Sequence, residues 1–342
     1  GGGGGGGGGG GRGRMPGCSA AEFLAGIHVA PKKPGGLPIH FAPLFPGCKM
    51  LDLPELHAQL AGRSAFLVGD CWERRLIEHV CKEAGRPLES YDQVEPFAFV
   101  CRVPLMNNAN LTLGFAHISG SGRMLTASSH EYMPARMLRL SSSERAVEML
   151  SKFREKYLNG IAPDLVMAQS YAHDFAGWSE RYPCDPAKNK QKMTGTTRHR
   201  RTLCDVYEWW STHQHILLPE WLSNVENLTQ SLGAASPNSA LYWNTRYLPI
   251  SEFAVGTVGL ANNQTTPNFP GAYHSMSEGI RALHTTWKPH KVQLFDMARY
   301  SAGLVLWYYG DGLHQTAWAS QAFARVLFNL IARLPGTRDQ TI

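Results

Sequence analysis

The sequence predicts an α/β fold, a three-layer α/β/α sandwich on a mostly parallel central sheet. Two patterns carry that expectation. Short apolar runs alternate along the chain with longer segments of helical period, and strands that alternate with helices form parallel sheets covered on both faces. The strand-like runs SAFLVG (64–69) and DLVMA (164–168) are apolar after their first residue, which suits strands buried on both sides.

Taken in order, residues 1–14 are a glycine run with two arginines, a segment with nothing to bury and so expected to be a disordered tail. Residues 15–60 are rich in proline and glycine and read as an irregular lead-in. The domain proper is expected over 61–334, with a short tail at 335–342. It opens with strand 64–69, followed by Asp70 and Cys71 at a turn. A helix follows in which Leu76, Ile77, Val80 and Ala84 share one face, with Gly85 just past its end. Residues 97–103 and 111–118 read as strands. Ser141 and Glu144 form a capping box, in which each side chain satisfies the other's amide. That box opens a helix carrying Met149, Leu150, Phe153 and Tyr157. Strand 164–168 comes next. Residues 199–232 then read as a long helical region broken near Pro219, its aromatic stripe (Tyr207, Trp210, Trp221) assigned to the core. Strands at 240–243 and 292–295 precede a last helix, 317–332, burying Phe323, Val326, Leu327, Leu330 and Ile331.

Composition narrows the class of protein. The chain has 342 residues, 43% of them hydrophobic and nine of them tryptophan, enough for a large core. No apolar run reaches the ~18 residues of a membrane span. The start is glycine rather than a basic and then apolar stretch, so no signal peptide is expected in the chain as it reads, with Met15 a candidate start; the compartment is left open. The net charge of +6 comes partly from KNKQKMTGTTRHRR (188–201). Without interleaved aromatics or a nucleic-acid motif, that run reads as a solvated loop, and no nucleic-acid partner is expected. The seven cysteines contain no CxxC pair, so neither a metal nor another cofactor is expected. They fit three disulfides and one free thiol, or seven thiols. Sequons at Asn110, Asn227 and Asn263 hint at a secretory route.

Open parallel sheets bind ligands beyond the carboxyl ends of their strands. The residues after the strand runs are Asp70-Cys71, then Ser119-Gly120-Ser121-Gly122, then Gln169-Ser170-Tyr171-Ala172-His173-Asp174, then Asn244-Thr245-Arg246, and Asp296. Fifteen residues beyond Asp296 comes Asp311-Gly312-Leu313-His314. All these could converge on one rim.

These blocks resemble those of the SGNH (GDSL-type) hydrolase superfamily, whose fold is of the SGNH/flavodoxin-like kind. Its Gly-Asp-Ser stands here as Gly69-Asp70-Cys71. With Arg74 the block becomes Gly-Asp-Cys-x-x-Arg, similar to the PC-esterase branch that includes wall-polysaccharide and sialate O-acetyltransferases. The closing Asp-x-x-His stands as Asp311-Gly312-Leu313-His314, about 240 residues after Cys71. Gly120 is the candidate for the glycine of the second block. Pro163-Asp164-Leu165-Val166 matches the strand before the third, whose Gly-x-Asn-Asp falls on Tyr171-Ala172-His173-Asp174, with tyrosine for glycine and histidine for asparagine. The resemblance covers residues ~64–332.

What the resemblance implies is acyl-ester chemistry on a small-molecule or carbohydrate acyl ester, in an esterase or O-acyltransferase. Cys71 would be the nucleophile, His314 its base and Asp311 the group that orients the base. At a helix start the first amides favour a thiolate. The amides of Cys71 and Gly120 would bind the oxyanion, with a ring N–H of His173 as a further donor. Asp70, Arg74 and Asp174 would contact substrate, and Trp72 would stack on a sugar or pack. The alternative is a catalytically inactive binding protein on the same fold, in which Cys71 is a small buried side chain.

Overall fold

The computed structural model describes residues 18–29, 41–43, 45, 47–90, 98–118, 120–121, 139–182, 206–245, 270–287, 291–300 and 316–336. Their elements, in chain order, begin with α1 (Ala20–Gly26), β1 (Ile27–Val29), β2 (Phe41–Pro43) and α2 (Leu53–Leu60). Then come β3 (Ser64–Gly69), α3 (Cys71–Glu83), β4 (Glu89–Ser90), β5 (Ala98–Pro104), a 3-10 turn at Met106–Asn108 and β6 (Asn110–His117). The second half runs α4 (Ser142–Tyr157), β7 (Leu165–Ala168), α5 (Ala172–Arg181), α6 (Val206–Ala235) and β8 (Ala240–Asn244). It ends with α7 (Pro270–His284), β9 (Val292–Phe295), α8 (Met297–Tyr300) and α9 (Ala317–Arg333).

The central sheet has seven strands in the order β4-β5-β6-β3-β7-β8-β9. β6, β3, β7, β8 and β9 are parallel, whereas β5 runs antiparallel to β6 and β4 antiparallel to β5. Within the parallel set the spatial order is second, first, third, fourth, fifth, the flavodoxin-like winding. All residues of β3 and β7 are buried, because helices cover both faces of the sheet. Successive residues feed opposite layers. Ala65 and Leu67 join a core with Phe23, Leu76, Ile77, Phe323 and Leu330, while Phe66 and Val68 join one with Met149, Phe153, Trp221, Leu228 and Tyr273. One layer is therefore α1, α2, α3 and α9, and the other α4, α5, α6 and α7.

Local sequence explains the ends of the elements. Ser141 and Glu144 cap α4 reciprocally, as their spacing predicts. Past α3, Gly85 takes φ +64° and supplies the left-handed turn. Within β6, Gly114 leaves a gap that the Phe153 ring fills; a Cβ there would lie 2.6 Å from Phe153 Cε2.

Two expectations are corrected. The lead-in is not irregular where it is described. Ser19 and Glu22, and likewise Asp52 and Glu55, form capping boxes that open α1 and α2, and Phe23, Leu24, Ile27, Leu56 and Leu60 enter the core of the α9 layer. Nor does the long helix break at Pro219. Leu217, Trp221, Val225, Leu228 and Leu232 form one buried stripe across it. Proline removes only the bond to the carbonyl of His215, and both residues are exposed, so water can satisfy that carbonyl.

Disulfides join Cys18 to Cys48 and Cys81 to Cys101, the second fixing the last turn of α3 to β5. Cys71 takes part in neither disulfide. Cys184, Cys204 and the basic run 188–201 lie outside the described residues. Among the described residues, no helix is long and apolar enough to cross a membrane.

Candidate functional site

At the carboxyl edge of the sheet the chain leaves β3 for α3 on one face and leaves β7 for α5 on the other. That divergence is the topological switch point of the winding, where an open parallel sheet has its crevice. Cys71, half-buried, stands there as the first residue of α3. Asp70 is its N-cap. The carboxylate is buried and accepts from the Trp72 amide at 3.0 Å, so this aspartate fixes the start of the helix.

The first turn of α3 also carries a buried polar cluster. Glu73 folds back from the first turn of α3 over Gly69, where an added Cβ would collide with its carboxylate. Asn244, at the end of β8, donates its amide to Glu73 Oε1 at 3.0 Å. Gln169, just past β7, donates to the same carboxylate once its amide nitrogen is turned inward. One side chain thus ties together the ends of β3, β7 and β8.

The loop after β6 forms the next part of the rim. Ile118 donates its amide to the Gly69 carbonyl at 3.1 Å, holding the loop beside β3. Gly120 has φ +103°, a conformation that favours glycine, and a Cβ there would lie 3.2 Å from Asp174 Oδ1. Its carbonyl accepts from Ser142 Oγ at 2.6 Å. Arg145 braces the same loop from α4, donating to the carbonyls of Leu140 and Ile118 and to Ser142 Oγ. Burial lowers the Arg145 pKa to about 10.

Asp174, in the first turn of α5, completes the knot. It accepts from the Ser121 amide at 2.8 Å, from Ser121 Oγ at 2.9 Å, from Trp221 Nε1 at 3.2 Å and from the Ser170 hydroxyl. Burial still raises its pKa, and the four hydrogen bonds only partly offset that. One residue earlier, the His173 ring meets the His117 ring edge to face, with centroids 4.7 Å apart. The crowded cleft pushes His117 well below its ordinary pKa, first by desolvation and then through the neighbouring His173, Arg74 and Arg145.

Cys71, Asp70, Gly120, His173 and Asp174 all follow the carboxyl ends of the neighbouring strands β3, β6 and β7, and Gly120 and Asp174 touch. Arg74 Nε pairs with Glu78 at 2.7 Å, and its guanidinium lies over the Phe99 ring. Trp72 packs on Phe323 with centroids 5.1 Å apart. Asp311 and His314 lie outside the described residues. Glu73 and His117 are additions that the sequence reading did not single out. His117 continues the face set by Leu111, Leu113 and Phe115, and a polar residue ending such a stripe marks where a buried strand meets the rim. Glu73 is two residues from Cys71 in a helix whose neighbours are buried, a position where a carboxylate requires partners.

No protein-family model matches the chain, and no curated protein does. Two similar solved structures carry hydrolase descriptions. One is an active site mutant of a family two carbohydrate esterase from Clostridium thermocellum, with 11% identity, a TM-score of 0.33 and coverage of 78% of this chain. The match spans only 62% of that esterase's length. The other is LAE5, an α/β hydrolase enzyme from the metagenome of Lake Arreo, Spain, with 15% identity, a TM-score of 0.32 and coverage of 81% of this chain and 98% of that one.

Proposed function

We propose that this chain is an esterase or O-acyltransferase acting on an acyl ester, in particular an acetylated carbohydrate, with Cys71 as its nucleophile. The observation that carries the proposal is the place of Cys71, a half-buried cysteine outside the disulfides, on the first residue of a helix at the switch point of a parallel sheet. In this reading His314 takes the Cys71 thiol proton, the sulfur attacks the ester carbonyl and the amides of Cys71 and Gly120 receive the oxyanion, with His173 as a further donor. The C–O bond breaks, the leaving alkoxide takes a proton from His314, and Asp311 holds that ring. Water or a sugar hydroxyl then attacks the thioester, giving its proton to His314; the C–S bond breaks, and the departing Cys71 sulfur takes that proton back. Asp70 acts by fixing the start of α3, and Asp174 by holding the Gly120 loop against β7. Arg74, half-exposed, offers the rest of its guanidinium to a substrate oxygen.

The test is hydrolysis of p-nitrophenyl acetate by the wild-type chain, Cys71→Ala and Cys71→Ser. Loss of the nucleophile should lower kcat/KM on the order of a thousandfold or more. An alanine variant as fast as the wild type sinks the proposal. An inactive wild type that gains activity as Cys71→Ser is instead the binding protein on a hydrolase scaffold.

A further inference from the structure

We propose that the chain is N-glycosylated at Asn110 and Asn227, as a protein of an oxidising secretory compartment; this stands apart from the catalytic reading. The first observation is where the sequons fall. Asn110-Leu111-Thr112 opens β6 and Asn227-Leu228-Thr229 lies in α6, and both asparagines are exposed while the leucine after each is wholly buried. Alternation along a strand and rotation along a helix each put the acceptor amide in solvent and its neighbour in the core. Neither fold position needs the asparagine side chain buried.

The second observation is the state of the cysteines. Cys18–Cys48 and Cys81–Cys101 are disulfides that staple the lead-in and α3, and such bonds persist where the compartment is oxidising. That is the route on which N-x-Ser/Thr sites meet the glycosylating enzyme. In the transfer, the asparagine side-chain nitrogen bonds to the anomeric carbon of an oligosaccharide carried on a polyisoprenyl pyrophosphate. The sugar–phosphate C–O bond breaks, and the amide proton leaves with the pyrophosphate.

The third observation is the place of both sites relative to the rim. Asn110 pairs with Pro104 at the amino edge of the sheet. Helix α6 hands over to β8 at that same edge, and Asn227 is about 12 Å of helix from its last residue at 1.5 Å per residue. Glycans at these positions would extend away from the carboxyl edge and leave Cys71 open to substrate.

The experiment uses the full chain secreted from eukaryotic cells behind an added leader. Peptide-N-glycosidase treatment in heavy-oxygen water converts each occupied asparagine to labelled aspartate, which peptide mass spectrometry reads on the wild-type protein without any variant. Labelled aspartate at both 110 and 227 is expected, with N110Q and N227Q each removing one mobility step. Unmodified asparagine at either position in folded secreted protein overturns the proposal, whatever Asn263 shows. Peptide mapping without reductant should recover the two cysteine pairs joined; four free thiols at those positions would remove its compartment premise.

Discussion

The two edges of the sheet treat buried carboxylates differently. At the amino edge, Asp164 is ion-paired with Arg63 at 2.8 Å and accepts from the Ser64 amide, while Arg63 also holds the Leu334 carbonyl past α9. At the carboxyl edge near the switch point, the described donors to Asp174 are all uncharged: an amide, two hydroxyls and an indole. Farther along that edge the ionic pattern returns, with Asp296 paired to Arg281 at 2.8 Å. Charge compensation is thus built where the strands must simply be held. Against the Gly120 loop the Asp174 carboxyl group is fixed in place by neutral dipoles instead. Such a group keeps its hydrogen-bonding directions but stays electrostatically costly, which is why its proton is held more tightly.

The strongest way to test that contrast is to break the ionic edge. Asp164→Ala leaves the Arg63 guanidinium buried without its carboxylate, and urea unfolding should show a loss of about 3–5 kcal/mol, with the proposed esterase activity per folded molecule unchanged. A loss well under 1 kcal/mol would remove the distinction between the edges. On the opposite edge, with His173 as the proposed oxyanion donor, His173→Ala should lower kcat/KM on the order of a hundredfold with unfolding free energy little changed, and His173→Asn should keep much of the rate. Equal, near-full rates in both variants would make His173 a rim residue only. Gly120→Ala forces a side chain into left-handed backbone against Asp174 and should cost about 1–3 kcal/mol, read by thermal or urea unfolding. A variant as stable as the wild type would mean that the loop relaxes freely.

The smallest effect is a pH slope. The folded pKa of His117 is lowered from 6.5, so below that value the unfolded chain binds a proton that the folded one resists, and stability falls as pH drops through the window beneath 6.5. Asp174 has the opposite sign. Its raised pKa favours the folded state below 3.8, and that contribution is lost as pH rises through the folded value. Unfolding curves at pH 7 and pH 5 should therefore show a larger loss for the wild type than for His117→Asn. Equal losses would show that His117 is hydrated in the folded state.

How much of this was legible in the sequence depends on the kind of signal. Ser64–Gly69 and Leu165–Ala168 read directly as buried strands because both faces of a parallel sheet are covered, and the Ser141/Glu144 box announced its helix. The same box at Ser19/Glu22 and at Asp52/Glu55 was present but lay among prolines and glycines, and helices of seven and eight residues give periodicity little length to show. Pro219 misled because its cost depends on whether the orphaned carbonyl meets water, a tertiary fact. For the site, strand order says which loops leave the carboxyl edge of the sheet. The partners of Glu73, however, come from β7 and β8, far along the chain, and no local pattern points to them. The disulfide pairing was equally beyond counting cysteines, since only the fold brings Cys81 of α3 against Cys101 of β5.

Gly114 has a consequence at a distance. The Phe153 ring seats in the gap it leaves and stacks on Phe66, so α4 is pegged to the sheet like a dowel in a drilled hole. From that peg the helix runs back eight residues to Arg145, about 12 Å at 1.5 Å per residue. The strand beneath runs forward four residues to Ile118, about 13 Å at 3.3 Å per residue. The two lengths agree, and that agreement brings the Arg145 guanidinium level with the Ile118 carbonyl it grips. A missing side chain in the middle of a strand therefore gauges the height of the Gly120 loop. A bulkier residue there would lift the helix off its peg and release the loop one edge away.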